Sequence, residues 1–175
     1  MPTVTKQRLA EEFYKLLEQK SIDKIVIKDI SDACGMSRQS FYYHFQDILA
    51  LVEWMAEQAI QKALSRSLEK DDPVDAIEQF VIMTVENQDL IRKLASSQWH
   101  EQFQLLFFEG IKTYLMELMR HRRPDHSMSR SEMDTAVAFY SGGVAALLLI
   151  YSGDKKTDTR RLAQRIVDLI SCGNA

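Results

Sequence analysis

The stretch Ile25-Val26-Ile27-Lys28-Asp29-Ile30-Ser31-Asp32-Ala33-Cys34-Gly35-Met36-Ser37-Arg38-Gln39-Ser40-Phe41-Tyr42-Tyr43-His44-Phe45 decides how this chain is read. Its first part predicts a short helix over residues 28–34, ended by Gly35, which supplies a tight turn. Ser37 stands where an N-cap is needed, and a helix over residues 38–45 follows. Helix, glycine turn and capped helix are the parts of a helix-turn-helix unit. Ile30, Ala33, Phe41 and Phe45 form its inner face, with Ala33 small enough to let two helices cross closely. The outer face presents Arg38, Gln39, Ser40, Tyr43 and His44, with Tyr42 at its flank. All of these can donate hydrogen bonds. Arg pairs bidentately with guanine and Gln with adenine, while Ser and Tyr hydroxyls reach phosphates or base edges.

Helical spacing continues on both sides of this stretch, and alternation with period two is confined to residues 25–27. Leu9, Phe13, Leu16 and Leu17 line one face of a first helix, capped near Thr3 or Thr5 and ending around Lys20. Asp47 can cap a long fourth helix in which Ile48, Leu51, Val52, Met55, Ala59 and Ala63 recur at steps of three and four. Asp72 followed by Pro73 starts a fifth. Further helices are expected over 89–97, 101–121, 131–152 and 157–172, with the clearest break at 122–129. The expected fold is all-α with about nine helices. A helix-turn-helix DNA-binding domain over 1–47 is joined to a helical bundle over 48–175.

The composition is that of a globular chain: 46% apolar and 27% charged over 175 residues. Residues 1–46 carry seven Lys/Arg against six Asp/Glu and the remainder fifteen against nineteen, so a net −3 divides into +1 and −4. That asymmetry is small, and nucleic-acid binding has to come from a local patch. Cys34 and Cys172 match no metal or redox spacing and read as reduced thiols. The first residues do not resemble a secretory signal, and the longest apolar run, 144–151, is well short of the roughly 20 residues of a spanning helix. A cytoplasmic protein with no membrane partner is expected. Neither a nucleophile elbow nor a phosphate loop nor a His-Glu-x-x-His motif appears, so no enzyme is expected. His100-Glu101 and the carboxylate and imidazole of 122–126 do not place two ligands one helical turn apart. No metal site or cofactor is therefore expected.

Gly35-Met36-Ser37 followed by Phe41-Tyr42-Tyr43-His44-Phe45 resembles the signature of TetR-family regulators, over roughly residues 5–55. The resemblance implies a third helix in the major groove and a contact from the start of the second. DNA-binding roles then fall on Lys28, Ser37, Arg38, Gln39, Ser40, Tyr42, Tyr43 and His44. The chain departs from the family in one place: many members carry a phosphate-binding Lys three residues after the last aromatic, where this sequence has Ile48. Phe45-Gln46-Asp47-Ile48 and Leu51-Val52-Glu53-Trp54 resemble a subgroup that includes regulators of dihydroxyacetone kinase operons.

By the same resemblance, residues 48–175 dimerise and bind a small molecule, so the regulator is expected to be controlled by a small-molecule or protein effector. Trp54, Met55, Phe80, Met83, Trp99, Phe103, Phe107 and Tyr140 are the candidate pocket residues, an aromatic and methionine set that serves as readily as plain core. Residues 139–151 are apolar nearly all round. Periodicity alone fits a central core helix about as well as an interface. The resemblance favours a homodimer through Tyr140, Gly143, Val144, Leu147, Leu162, Ile166, Leu169 and Ile170.

The reading that follows is a sequence-specific transcription regulator, a repressor more often than an activator in this family, on a near-palindromic double-stranded operator. The alternative is a helical protein-binding adaptor without DNA binding. Salt dependence separates the two, because phosphate contacts weaken steeply with salt and an apolar interface hardly responds.

Overall fold

The computed structural model describes residues 2–122, 129–151 and 157–172. Among them the chain forms nine α-helices, one 3-10 turn (Ile22–Lys24) and no strand: α1 (Pro2–Gln19), α2 (Ile27–Ala33), α3 (Arg38–His44), α4 (Ile48–Leu68), α5 (Pro73–Glu86), α6 (Gln88–Ala95), α7 (His100–Arg122), α8 (Arg130–Tyr151) and α9 (Thr159–Cys172). The all-α expectation holds. The break expected at 122–129 lies, for residues 123–128, outside the described residues.

Helix starts follow the local chemistry. Asp47 accepts from the Ala50 amide (2.8 Å), and Asp72 accepts from Val74 and Asp75 ahead of Pro73. The first helix is a correction: it begins at Pro2, so Thr3 and Thr5 lie inside it and neither is its cap. Proline at the start has no amide to leave unsatisfied, and its fixed φ suits the first turn. The 3-10 turn between α1 and α2 was not anticipated.

The turn between α2 and α3 closes as a Schellman motif. Gly35 N–H donates to the Asp32 carbonyl (3.0 Å) and Met36 N–H to the Ser31 carbonyl (2.9 Å), with Gly35 at φ +64°. A Cβ at Gly35 would meet nothing within 4 Å, so a substitution there is penalised by backbone conformation alone. Gly35→Ala should cost about 1 kcal/mol, and Gly35→Asn less, because Asn tolerates the left-handed region. Equilibrium unfolding in urea checks this; equal stability of the two variants would contradict it.

Ala33 does not fill the helix crossing that the sequence suggested. It is exposed, and Cys34 comes round beneath Ile30 instead, fully buried, with its Sγ 3.7 Å from the Arg8 carbonyl. Four residues after Ile30 is one helical turn, and the chain turns away at Gly35 just beyond it. Burial pushes the Cys34 thiol pKa up.

The apolar side chains form two clusters. The first holds α1–α3 through Leu9, Phe13, Leu17, Ile30, Phe41 and Phe45. It continues past residue 47 into Ile48, Leu51 and Val52 of α4, Leu90, Ile91 and Leu94 of α6, and Phe103 of α7. The second joins α5, α7, α8 and α9 with the far end of α4, at Ala63 and Leu64. α4 thus has one end in each core. Two polar contacts also tie the first three helices to the rest: Lys93 Nζ donates to the Leu17 carbonyl, and Gln98 N–H donates to Asp23 (3.1 Å).

Within the second core, Tyr114 Oη donates to the Ala76 carbonyl (3.0 Å) and lies 2.7 Å from Ser67 Oγ, which bonds back to the Ala63 carbonyl (2.8 Å). Burial pushes the Tyr114 pKa up to about 12, against the opposing effect of the Ser67 hydrogen bond. The neutral phenol is therefore favoured in the folded chain. Its contribution to stability is present below the unfolded value near 10 and lost as pH rises from there to about 12. In an alkaline titration followed by ultraviolet absorbance, Tyr114 should ionise only near pH 12, or together with unfolding. Complete ionisation near pH 10 with the fold intact would contradict this burial.

α8 is 22 residues long with a mean hydropathy of 1.6 over its most apolar window, long and apolar enough by composition to cross a membrane. The apolar run counted from the sequence was shorter because it began only at Val144. One face of the helix, through Met133, Val137, Ser141, Val144 and Leu148, is buried within the subunit.

Candidate nucleic-acid interface

The third helix is held from below by its aromatics. Phe41 is fully buried and Phe45 nearly so, their rings 5.9 Å apart, and Trp54 from α4 lies 5.9 Å from Phe45. Lys6 Nζ sits 5.0 Å above the Phe45 ring and 5.9 Å from Trp54, so an α1 cation covers the aromatic seam where α3 meets α4. Ser37 caps the helix: its Oγ accepts from the Ser40 amide (3.1 Å) and lies 3.0 Å from Ser40 Oγ.

With one face so fixed, the opposite face is left to solvent. Arg38, Gln39 and Ser37 are exposed, and Tyr42 and Tyr43 are 57% and 82% exposed. Ser40 and His44 are half-buried, and the His44 ring meets Tyr43 edge-on at 5.0 Å. A tyrosine as exposed as Tyr43 contributes nothing to the core, and it stands beside two side chains able to read base edges.

Lys28 is exposed at the start of α2 and faces a surface groove with Arg38 and Tyr42. Asp47 and Ile48, at the start of α4, line the same groove. Ile48 is itself buried. Gln39, Ser40, Tyr43 and His44 do not line this groove and lie on the other side of α3.

α2 is anchored to the end of α1 by Lys20, the residue just past that helix, whose Nζ is 2.6 Å from Asp29. Asp29 also accepts from the Val26 amide (2.9 Å), capping α2. The Lys20 hydrogen bond, and then the Val26 amide, lower the Asp29 pKa.

The candidate pocket residues divide. Met55, Phe80, Met83, Phe103 and Phe107 line a cavity of about 130 Å³ between α4, α5, α6 and α7. Trp54 packs instead against Phe45, Trp99 lines the groove beside Tyr42, and Tyr140 lines a separate cavity and donates to the Ile170 carbonyl (3.3 Å). Ala56, Ala59, Thr84, Asn87 and Gly110 are among the further lining residues, which the sequence reading did not name as pocket residues. Gly110 carried a readable signal, a glycine inside a long helix. A Cβ there would meet Ile60 Cδ1 at 2.7 Å, so α7 and α4 approach closely at that point.

Of the interface candidates, Val144, Leu162 and Ile166 are buried within the subunit, Tyr140, Leu147 and Ile170 are half-buried, and Gly143 and Leu169 are exposed. An apolar stripe of α8 stays in solvent: Phe139 (78% exposed), Gly142, Gly143, Ala146 and Ile150 (71%). Among the described residues, no group of three or more His, Cys, Asp or Glu side chains could hold a metal ion.

Residues 14–55 match the family model described as bacterial regulatory proteins, tetR family. Residues 71–172 match the one described as transcriptional regulator C-terminal region. No curated protein matches the chain. Similar solved structures include the dihydroxyacetone kinase operon activator DhaS, at a TM-score of 0.71 and 18% identity over 98% of this chain and 96% of that one. The TetR family repressor AlkX from Dietzia sp. strain DQ12-45-1b gives 0.65 and 16%, covering 94% of each chain. A TetR-family transcriptional regulator from Streptomyces coelicolor gives 0.67 and 17%, covering 95% of this chain and 81% of that one. At these identities the likeness is one of fold.

Proposed function

From the premise that this chain belongs to the TetR family of transcriptional regulators, we propose that it acts in the cytoplasm as a homodimeric, sequence-specific DNA-binding repressor whose affinity for its operator is set by an effector. Residues 1–47 serve as the reading head and 48–175 as the effector-binding and dimerising part. The observation that carries the reading is the outward face of α3. Arg38, Gln39 and Tyr43 are exposed on a helix whose other side is locked by Phe41 and Phe45.

Two such helices enter successive major grooves about 34 Å apart on a near-palindromic site. Lys28 and Tyr42, on the groove beside α3, hold phosphates, while Arg38, Gln39, Ser40, Tyr43 and His44 meet base edges and the backbone flanking them. Ser37 serves mainly as the cap that orients the helix. The exposed stripe of α8 around Phe139, Gly143 and Ile150, joined by Leu169, supports the dimer contact. Val144, Leu162 and Ile166 support it only from behind, as core.

The cavity against the middle of α4 supports effector control. Only Phe45, Gln46 and Asp47 separate the end of α3 from the start of α4, so a small pivot of α4 shifts the reading head. Repression is the commoner mode in the family, and the fold neighbours include both an activator and a repressor.

Binding to an operator duplex selected from random sequence tests the reading. Lys28→Ala should weaken binding to all sequences alike and reduce the slope of log affinity against log salt by about 1. A flat salt response would favour the protein-adaptor reading instead. A reporter under the selected operator gives the sign of regulation: expression rising when the protein is absent supports repression, and expression falling overturns it.

A further inference from the structure

The cavity of about 130 Å³ sits where the two apolar cores meet, against the middle of α4. Its walls come from Met55 and Ala59 of α4, Met83 of α5, and Phe103, Phe107 and Gly110 of α7. The Phe103 and Phe107 rings lie stacked, 5.5 Å apart. Gly110 keeps α7 close to α4 and adds no side chain to the space.

Two polar side chains reach the wall, and both spend donors on their own helix. Thr84 Oγ1 donates to the Phe80 carbonyl (3.0 Å), and Asn87 Nδ2 to the Met83 carbonyl (2.8 Å). Among the described residues, no Asp, Glu, Lys, Arg or His lines the cavity. A charged ligand would lose its hydration and gain no counter-charge, and a polyol would strip its hydroxyls of water for few partners. Apolar cavities of about 150 Å³ stay dry and admit benzene.

Resting on the reading of this region as the effector site, we infer that the cavity takes a neutral, apolar molecule of about six to eight heavy atoms, aromatic or branched aliphatic, and rejects carboxylates, phosphates and sugars. The two methionines give the wall the adaptability to close around ligands of differing outline. Such a ligand touches α4 between its two anchored ends, the position from which a pivot reaches α3.

Methyl-labelled methionine NMR on the full chain tests this, with toluene and benzoate as probes. Toluene should shift the Met55 and Met83 methyl signals, by the ring currents of the bound probe, to a saturating limit and leave Met36 unchanged. Benzoate should bind more than about tenfold more weakly. Ala59→Phe, which fills the space, should abolish the toluene shifts, and its melting temperature reports whether it folds. Absence of any shift at Met55 and Met83 in the wild-type chain, or equal shifts with benzoate, would overturn the inference without need of a variant. Operator binding measured on the same samples keeps the two readings apart. Methyl shifts with operator affinity unmoved would leave the ligand class standing and overturn effector control through this cavity. Intact operator binding with no shifts would overturn the ligand class alone.

Discussion

Replacing Arg38 and Gln39 together by alanine lowers operator affinity by about 30-fold to 10⁴-fold and leaves the melting temperature within about 2 °C of wild type. The magnitude follows from two bidentate base contacts at about 1–3 kcal/mol each. The thermal result follows from position, since both side chains are exposed. Each single variant should relax preference at one base pair of each half-site and leave the others unchanged. Affinity on the operator and on single-substituted duplexes, measured by fluorescence anisotropy, reads both effects. A uniform loss across all sequences would mean that these side chains hold phosphate and do not read bases.

Phe41→Ala has the opposite signature. Its ring is fully buried, meets Tyr42 edge-on at 6.0 Å and packs against Phe45 at 5.9 Å. Truncation should cost about 3–5 kcal/mol, which for a chain of this size lowers the melting temperature by roughly 6–20 °C. Operator binding then falls because the reading head loses its support, not because a contact is missing. The first core runs into α4, α6 and α7, so the loss should appear as a lower global transition and not as separate melting of the first 47 residues. Calorimetry distinguishes these outcomes; an early, isolated transition would show that the head is energetically independent of the helices beneath it.

What the sequence made legible was set by short-range chemistry. Gly35, Ser37, Asp47 and the pair Asp72-Pro73 act on amides within a few residues of themselves, and each does in the structure what its position implied. The outer face of α3 was equally local, because Phe41 and Phe45 one turn apart fix which side is inward. Ala33 was misplaced because a helix of two turns offers several small residues to a crossing, and only the packing of α1 selects Cys34.

Tertiary assignments were less accessible. Trp54, Met55 and Ala59 all lie on α4, yet Trp54 turns to Phe45 while the other two face the cavity, a division that depends on where α1 and α7 sit. The apolar positions of α8 and α9 were a similar case. Periodicity marks Val144, Leu162 and Ile166 as buried but does not say whether a neighbouring helix or a second subunit buries them. The exposed stripe at Phe139, Gly143 and Ile150 emerges only once the packing of α8 against α7 is known.

The most direct test of the central claim is selection of bound duplexes from a random pool by this chain, repeated across a salt series. The account predicts enrichment of a palindrome with half-sites about one helical turn apart or a multiple of it, and affinity that falls steeply with salt. Recovery of no common sequence, with binding indifferent to salt, would contradict it.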